Sequence, residues 1–97
     1  MRPLEFDLEA EEELAVAVDW YERQRAGLGL DFLEELDDVL QSMIRFPHMG
    51  TSYEKGTRRR VLQRFPFAVV YMVLSQKLRV IAVTHLHRKP GYWWERG

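Results

Sequence analysis

The hydrophobic period of this chain changes once, near Thr57, and that change constrains the fold more than any other feature. Before it, apolar residues recur at steps of three and four, the spacing of a helix with one buried stripe. After it they follow the period of strands, in runs rich in Val, Ile and Tyr. Ala10, Leu14, Ala17, Val18 and Tyr21 form a first stripe, with Trp20 beside it. Phe32, Leu33, Leu36, Val39, Leu40, Met43 and Ile44 form a second, and all seven are expected to point inward. Ala26-Gly27-Leu28-Gly29 ends the first helix, because glycine accepts the left-handed conformation that closes a helix. So short a link predicts an antiparallel helical hairpin. Phe46-Pro47-His48-Met49-Gly50 then stops the second helix, since proline disfavours helix at the residue before it and glycine permits a turn.

Ahead of the hairpin, Leu4-Glu5-Phe6-Asp7-Leu8 alternates apolar and acidic residues, which predicts a short first strand. Asp7 can cap the helix that begins near Leu8, and Glu9, Glu11, Glu12 and Glu13 crowd its first turns, where the helix dipole favours negative charge. Beyond the change of period, strands are predicted over Thr57–Gln63, Phe67–Leu74 and Leu78–Leu86, the last two joined as a hairpin by Ser75-Gln76-Lys77. Both of these carry apolar residues on each face, which places them centrally in the sheet. Alternation puts Arg79, Ile81, Val83, His85 and His87 on one face of the last strand and Val80, Ala82 and Thr84 on the other. The resulting order is β-α-α-β-β-β, and at 97 residues the chain forms one domain, residues 1–97.

Charge is divided along the same boundary. Residues 1–50 hold 4 Lys/Arg against 13 Asp/Glu, a net of 4 − 13 = −9, and residues 51–97 hold 10 against 2, a net of 10 − 2 = +8. The overall −1 is a cancellation, and the basic half suits phosphate or an acidic partner. With no cysteine there is neither a disulfide frame nor thiolate chemistry, which fits a reducing cytoplasm. No apolar run approaches the ~20 residues that span a bilayer, and the acidic N-terminus lacks the order of a secretory signal, so no membrane association is expected.

Glycine-rich phosphate loops, zinc-spaced Cys/His sets and nucleophile elbows are absent, and no cofactor or metal is expected. What remains is a constellation of side chains near the end of the last strand. His85, followed by His87, Arg88, Lys89 and Tyr92, can act as a general acid or base, with Arg88 on phosphate and Tyr92 moving a proton. Equally, His85 can close the strand by hydrogen bonding while Arg88 pairs with an acidic helix. Among Arg58-Arg59-Arg60, Arg58 and Arg60 point one way and Arg59 the other; the cluster either clamps phosphate or guards a strand edge with charge. Tyr92-Trp93-Trp94 either stacks bases or returns at least one Trp over the sheet or helices. The acidic helix faces, with Trp20 as an anchor, can bind a partner helix or strand.

Taken in order, Phe6–Tyr21, Gly29, Phe32-Leu33-Glu34-Glu35-Leu36, Pro47, Gly50, Arg59-Arg60-Val61-Leu62, Arg64-Phe65-Pro66-Phe67, Val70-Tyr71, Ala82-Val83-Thr84-His85, Arg88, Pro90, Tyr92-Trp93 and Arg96 resemble the toxins of the RelE/ParE superfamily of bacterial type II toxin–antitoxin systems. The resemblance implies an α+β fold, a helical hairpin packed on a small twisted, mainly antiparallel sheet. It also implies a cognate antitoxin whose segment wraps the toxin, and it allows a heterotetramer of the two. Members of the superfamily differ in activity: some cleave mRNA on the ribosome without a metal, others inhibit DNA gyrase. Because His85, Arg88 and Tyr92 are retained, metal-independent mRNA cleavage is the first reading, with His85, Arg88, Tyr92, Arg59 and Arg60 as the catalytic candidates; gyrase inhibition is the alternative, and a degenerate, antitoxin-binding module is a third. This chain departs from the ribonuclease members at Leu86, where the mRNA-cleaving prototype has a basic residue, and in its near-zero net charge.

Overall fold

The computed structural model describes residues 3–96; the side chain of Arg96, which belongs to the sequence pattern above, lies outside it. Strand β1 (Leu4–Phe6) leads into helices α1 (Leu8–Gln24) and α2 (Leu28–Arg45). Strands β2 (Thr51–Ser52), β3 (Arg58–Val61), β4 (Phe67–Val73) and β5 (Leu78–His85) follow, and a 3₁₀ turn over Tyr92–Arg96 comes last. The sheet order is β1-β5-β4-β3-β2, with β1 parallel to β5 and the remaining pairs antiparallel. Two helices on a mainly antiparallel sheet are what the change of period predicts, and β4 and β5 are inside the sheet as expected. The two-residue β2 is an addition: Thr51 and Ser52 pair with Arg59 and Arg58, and a pairing that short leaves no periodicity in a sequence.

The core forms where the two helical stripes meet the sheet. Ala10, Ala17, Phe32, Leu36 and Met43 pack with Leu62, Phe65, Val69, Tyr71, Leu78, Val80 and Val83. Aromatic rings set its centre: Tyr21 stacks on Phe32 at 5.4 Å, and Phe65 and Phe67 meet Phe32 edge-on at 5.1 and 5.2 Å. Leu33 does not join them and stays 39% exposed, at the flank of the stripe about 100° round the helix from Phe32.

Polar groups finish the element ends in ways that periodicity does not encode. Asp7 stands at the N-cap of α1 but makes no side-chain cap; its carboxylate is held by Arg79, through Nε at 2.8 Å and Nη2 at 2.9 Å. That bidentate ion pair outcompetes the cap hydrogen bond. Nor does glycine close α1, which ends at Gln24 with Arg25 extended; Gly27, at φ 91°, opens α2 instead. The Glu22 carboxylate, from the last turns of α1, accepts the backbone N–H groups of Gly27 and Gly29 and so caps α2 across the link. Gly29 also lets the helices approach, because a Cβ there would sit 2.9 Å from the Val18 carbonyl oxygen.

One irregularity in β5 governs both faces of the sheet. The register with β4 shifts between Val70 and Tyr71: Val70 pairs with Ala82, but Tyr71 pairs with Val80, leaving Ile81 as an extra residue. Strict alternation therefore fails in β5. Val80 and Val83 both face the helices, whereas Ile81 and Ala82 both face away, joining Val70 and the buried Trp93 in a second cluster. Arg79 lies with Ile81 on this far side, not with Val83 and His85 as alternation predicts.

Tyr71 plugs the helix-side core beneath the turn after α2. Its hydroxyl donates to the Pro47 carbonyl at 2.8 Å, and burial pushes its pKa up from the ordinary 10.0. A Cβ at Gly50 would collide with the Tyr71 hydroxyl and ring. Gly50→Ala is expected to lower stability by about 1–3 kcal/mol, the usual cost of overpacking, in urea denaturation. Because the folded state disfavours the Tyr71 phenolate, its contribution is complete below pH 10 and fades as pH rises through the elevated value. Melting temperatures should therefore fall as pH rises above 10, and less steeply in Tyr71→Phe.

Candidate functional site

Three of the five candidate residues come together at the end of β5. After His85 the chain turns, Arg88 N–H returning to the His85 carbonyl at 3.0 Å, and this brings Arg88 over the Tyr92 ring at 3.9 Å. The Tyr92 hydroxyl donates to Glu13 Oε2 on α1, while Glu13 Oε1 accepts the Val83 N–H at 3.0 Å. A single helix carboxylate thus ties the edge of β5 to the C-terminal turn. Val83 lies past the end of β1, whose pairing stops at Val80, so Glu13 supplies the acceptor that a neighbouring strand would otherwise provide.

His85 is exposed at the rim. Its ring meets Phe67 at 5.4 Å and His87 at 4.9 Å, and its Nδ1 accepts the backbone N–H of His87 at 3.1 Å. The imidazole therefore closes the strand end, and the same residue lines a cleft of about 770 Å³ between α1 and the ends of β4 and β5. Val16, Trp20, Pro66 and Phe67 make that cleft apolar at one end, and Glu9, Glu12, Glu13 and Arg88 surround the other.

Arg59 and Arg60 stand elsewhere, on opposite faces of β3. Arg60 pairs in register with Val69, turns toward the helices and donates to Ser42 Oγ on α2 at 3.1 Å. Arg58 shares that side and donates to the carbonyl oxygens of His48 and Gly50 at 3.0 and 2.8 Å, fixing the turn over Tyr71. Arg59 pairs with Val70 on the far face, where its guanidinium lies over Tyr53 at 4.7 Å. On that face Lys55 lies over Trp94 at 5.4 Å, and Trp93 is buried on the sheet, so one tryptophan packs back as one of the two readings had it. Among the described residues, no three His, Asp or Glu side chains converge as metal ligands.

Two polar roles were not readable in the chain. Glu13 sits in an acidic run of α1 that reads as a solvated helix start, yet it bonds a residue 70 positions away. Glu35 likewise accepts the backbone N–H groups of Gln63 and Arg64 in the β3–β4 connection. Removing the Tyr92 hydroxyl in Tyr92→Phe should cost about 1–2 kcal/mol, the range for a hydrogen bond to a charged acceptor with some solvent access. Urea denaturation measures the loss, and the tryptophan emission should shift to the red as the turn carrying Trp93 loosens.

Comparison with known proteins bears on this arrangement. Residues 4–90 match the family described as the ParE toxin of the type II toxin–antitoxin system, parDE. A solved chain of the chromosomal ParDE toxin–antitoxin system from P. aeruginosa has the same fold, with a TM-score of 0.77 and 17% sequence identity. The likeness covers 88% of this chain and 96% of that one. No curated protein matches the sequence.

Proposed function

This chain belongs to the ParE toxin family of type II toxin–antitoxin systems, and from that membership we propose that it arrests growth by binding DNA gyrase, with a cognate antitoxin holding it inactive. The observation that carries this reading is that Arg59 and Arg60 stand apart from His85, Arg88 and Tyr92 and from each other. A metal-independent ribonuclease needs a base, an acid and phosphate-binding cations around one ribose and its phosphate, within hydrogen-bond reach of the reacting atoms. Here Arg60 donates to Ser42 beneath α2, Arg59 lies on the opposite face of the same strand, and the Tyr92 hydroxyl is committed to Glu13. A binding toxin requires no such convergence. It requires a surface, and the far face of the sheet offers one with Arg59 and Lys55 each seated on an aromatic ring, while Arg88 is held on Tyr92 at the β5 edge.

Metal-independent mRNA cleavage is the second reading, favoured by His85 and Arg88 lining one cleft. The two readings separate in one experiment. Purified chain is added to gyrase with relaxed plasmid and, in parallel, to translating ribosomes whose mRNA 5′ ends are mapped. Blocked supercoiling with intact mRNA is the expected result, together with undiminished growth arrest in His85→Ala. New 5′ ends inside translated mRNA, lost in His85→Ala and Arg88→Ala, would overturn the gyrase reading. Unimpaired supercoiling together with intact mRNA would leave a module that only binds its antitoxin.

A further inference from the structure

On α1 the wall of the cleft is a single stripe. Glu9, Glu13, Val16 and Trp20 follow one another at steps of four, three and four and so share one helix face, with Glu12 at its flank. The stripe changes character halfway along. Its second half is apolar and open to solvent, with Val16 70% and Trp20 55% exposed, and it faces Phe67 and Pro66 across the cleft. A valine and a tryptophan left this exposed in an apolar concavity are characteristic of an interaction site.

The first half is acidic. Within the cleft Glu9, Glu12 and Glu13 stand against one guanidinium, Arg88, a local balance of 1 − 3 = −2; Arg79, which acts on Glu9 from beside the cleft, is itself paired with Asp7. Glu13 is engaged by Val83 and Tyr92, but Glu9 and Glu12 make no ion pair among the described residues. An acidic segment would be repelled from this end, and a basic one attracted. The +8 of the C-terminal half argues for acidic partners elsewhere on the molecule, so the charge of this cleft is opposite to what the strands invite.

We infer that the cleft docks a segment of the antitoxin that places large apolar side chains on Val16, Trp20 and Phe67 and lysine or arginine against Glu9 and Glu12. The inference rests on the toxin reading above and adds to it the docking surface and the sign of the docking segment. From Glu9 to Trp20 the helix rises roughly 17 Å, which three turns of a partner helix or about five extended residues would cover.

The test is capture of the protein encoded beside this chain, co-expressed with the full-length toxin, with affinity measured on the purified complex at two salt concentrations. Val16→Asp and Glu12→Lys alter exposed positions and should fold normally by circular dichroism. Each is expected to weaken binding about tenfold or more, and the wild-type complex should weaken as salt rises. Val61→Asp, an exposed change on β3, should bind as the wild type does. Wild-type affinity in both cleft variants would overturn the docking surface while leaving the toxin reading intact. Loss in Val16→Asp without loss in Glu12→Lys would overturn the basic character of the segment. If the wild-type chain captures nothing, the antitoxin reading itself fails and this inference with it.

Discussion

Strand β5 is buried on both faces, and much of the molecule is arranged around that requirement. Leu78, Val80, Ile81, Ala82 and Val83 are all withdrawn from solvent, which a strand achieves only with a layer on each side. The helical hairpin supplies one layer. The other is the short C-terminal turn, whose Trp93 covers Ile81, Ala82 and Val70. The extra residue at Ile81 sends two consecutive apolar side chains to the far face, and so it creates the patch that the turn must cover.

The division of charge along the chain becomes a division between layers. The helices are acidic and the sheet basic, yet the polar contacts between them are mostly not simple surface ion pairs. Arg79 with Asp7 and Lys77 with Glu5 are the pairs at the β1 edge. Elsewhere helix carboxylates accept backbone N–H groups: Glu13 that of Val83, and Glu35 those of Gln63 and Arg64. The bond from Val83 to Glu13 contributes more than an exposed ion pair, because a donor left without a partner at a buried edge costs ~1–3 kcal/mol. Glu13 and Glu35 are thereby used inside the fold, whereas Glu9 and Glu12, which line the cleft, accept no such donor among the described residues.

Function in this fold is a matter of which face is presented. The helix-side arginines, Arg58 and Arg60, brace a turn and a helix. Arg59 and Lys55 are displayed on aromatic rings over the far face, and Arg88 on Tyr92 beside the cleft at the β5 edge. A guanidinium on a ring keeps its charge and its donors while its position is restricted, which favours binding an oriented partner over shuttling protons.

The sequence by itself determined the elements, because period and punctuation are local. The stripes of α1 and α2, the stop at Pro47 and the β4–β5 hairpin stand where the residues put them, with boundaries shifted by one to two residues. It also put His85, Arg88 and Tyr92 within one short segment, and the turn after His85 with the seat of Arg88 on Tyr92 brings them together. Tertiary structure alone decided the rest. The displacement at Ile81 reverses the facing of Arg79, and nothing in the alternation of β5 announces it, because Val80 to Val83 are apolar whichever way they point. Asp7 prefers a guanidinium 72 positions away to the cap beside it. Tyr92 is tied to Glu13 across 79 positions, so its hydroxyl is engaged by an acceptor that only folding brings near. In each case an apolar pattern says that a face is buried, while the identity of a polar partner depends on distances that exist only once the layers have met.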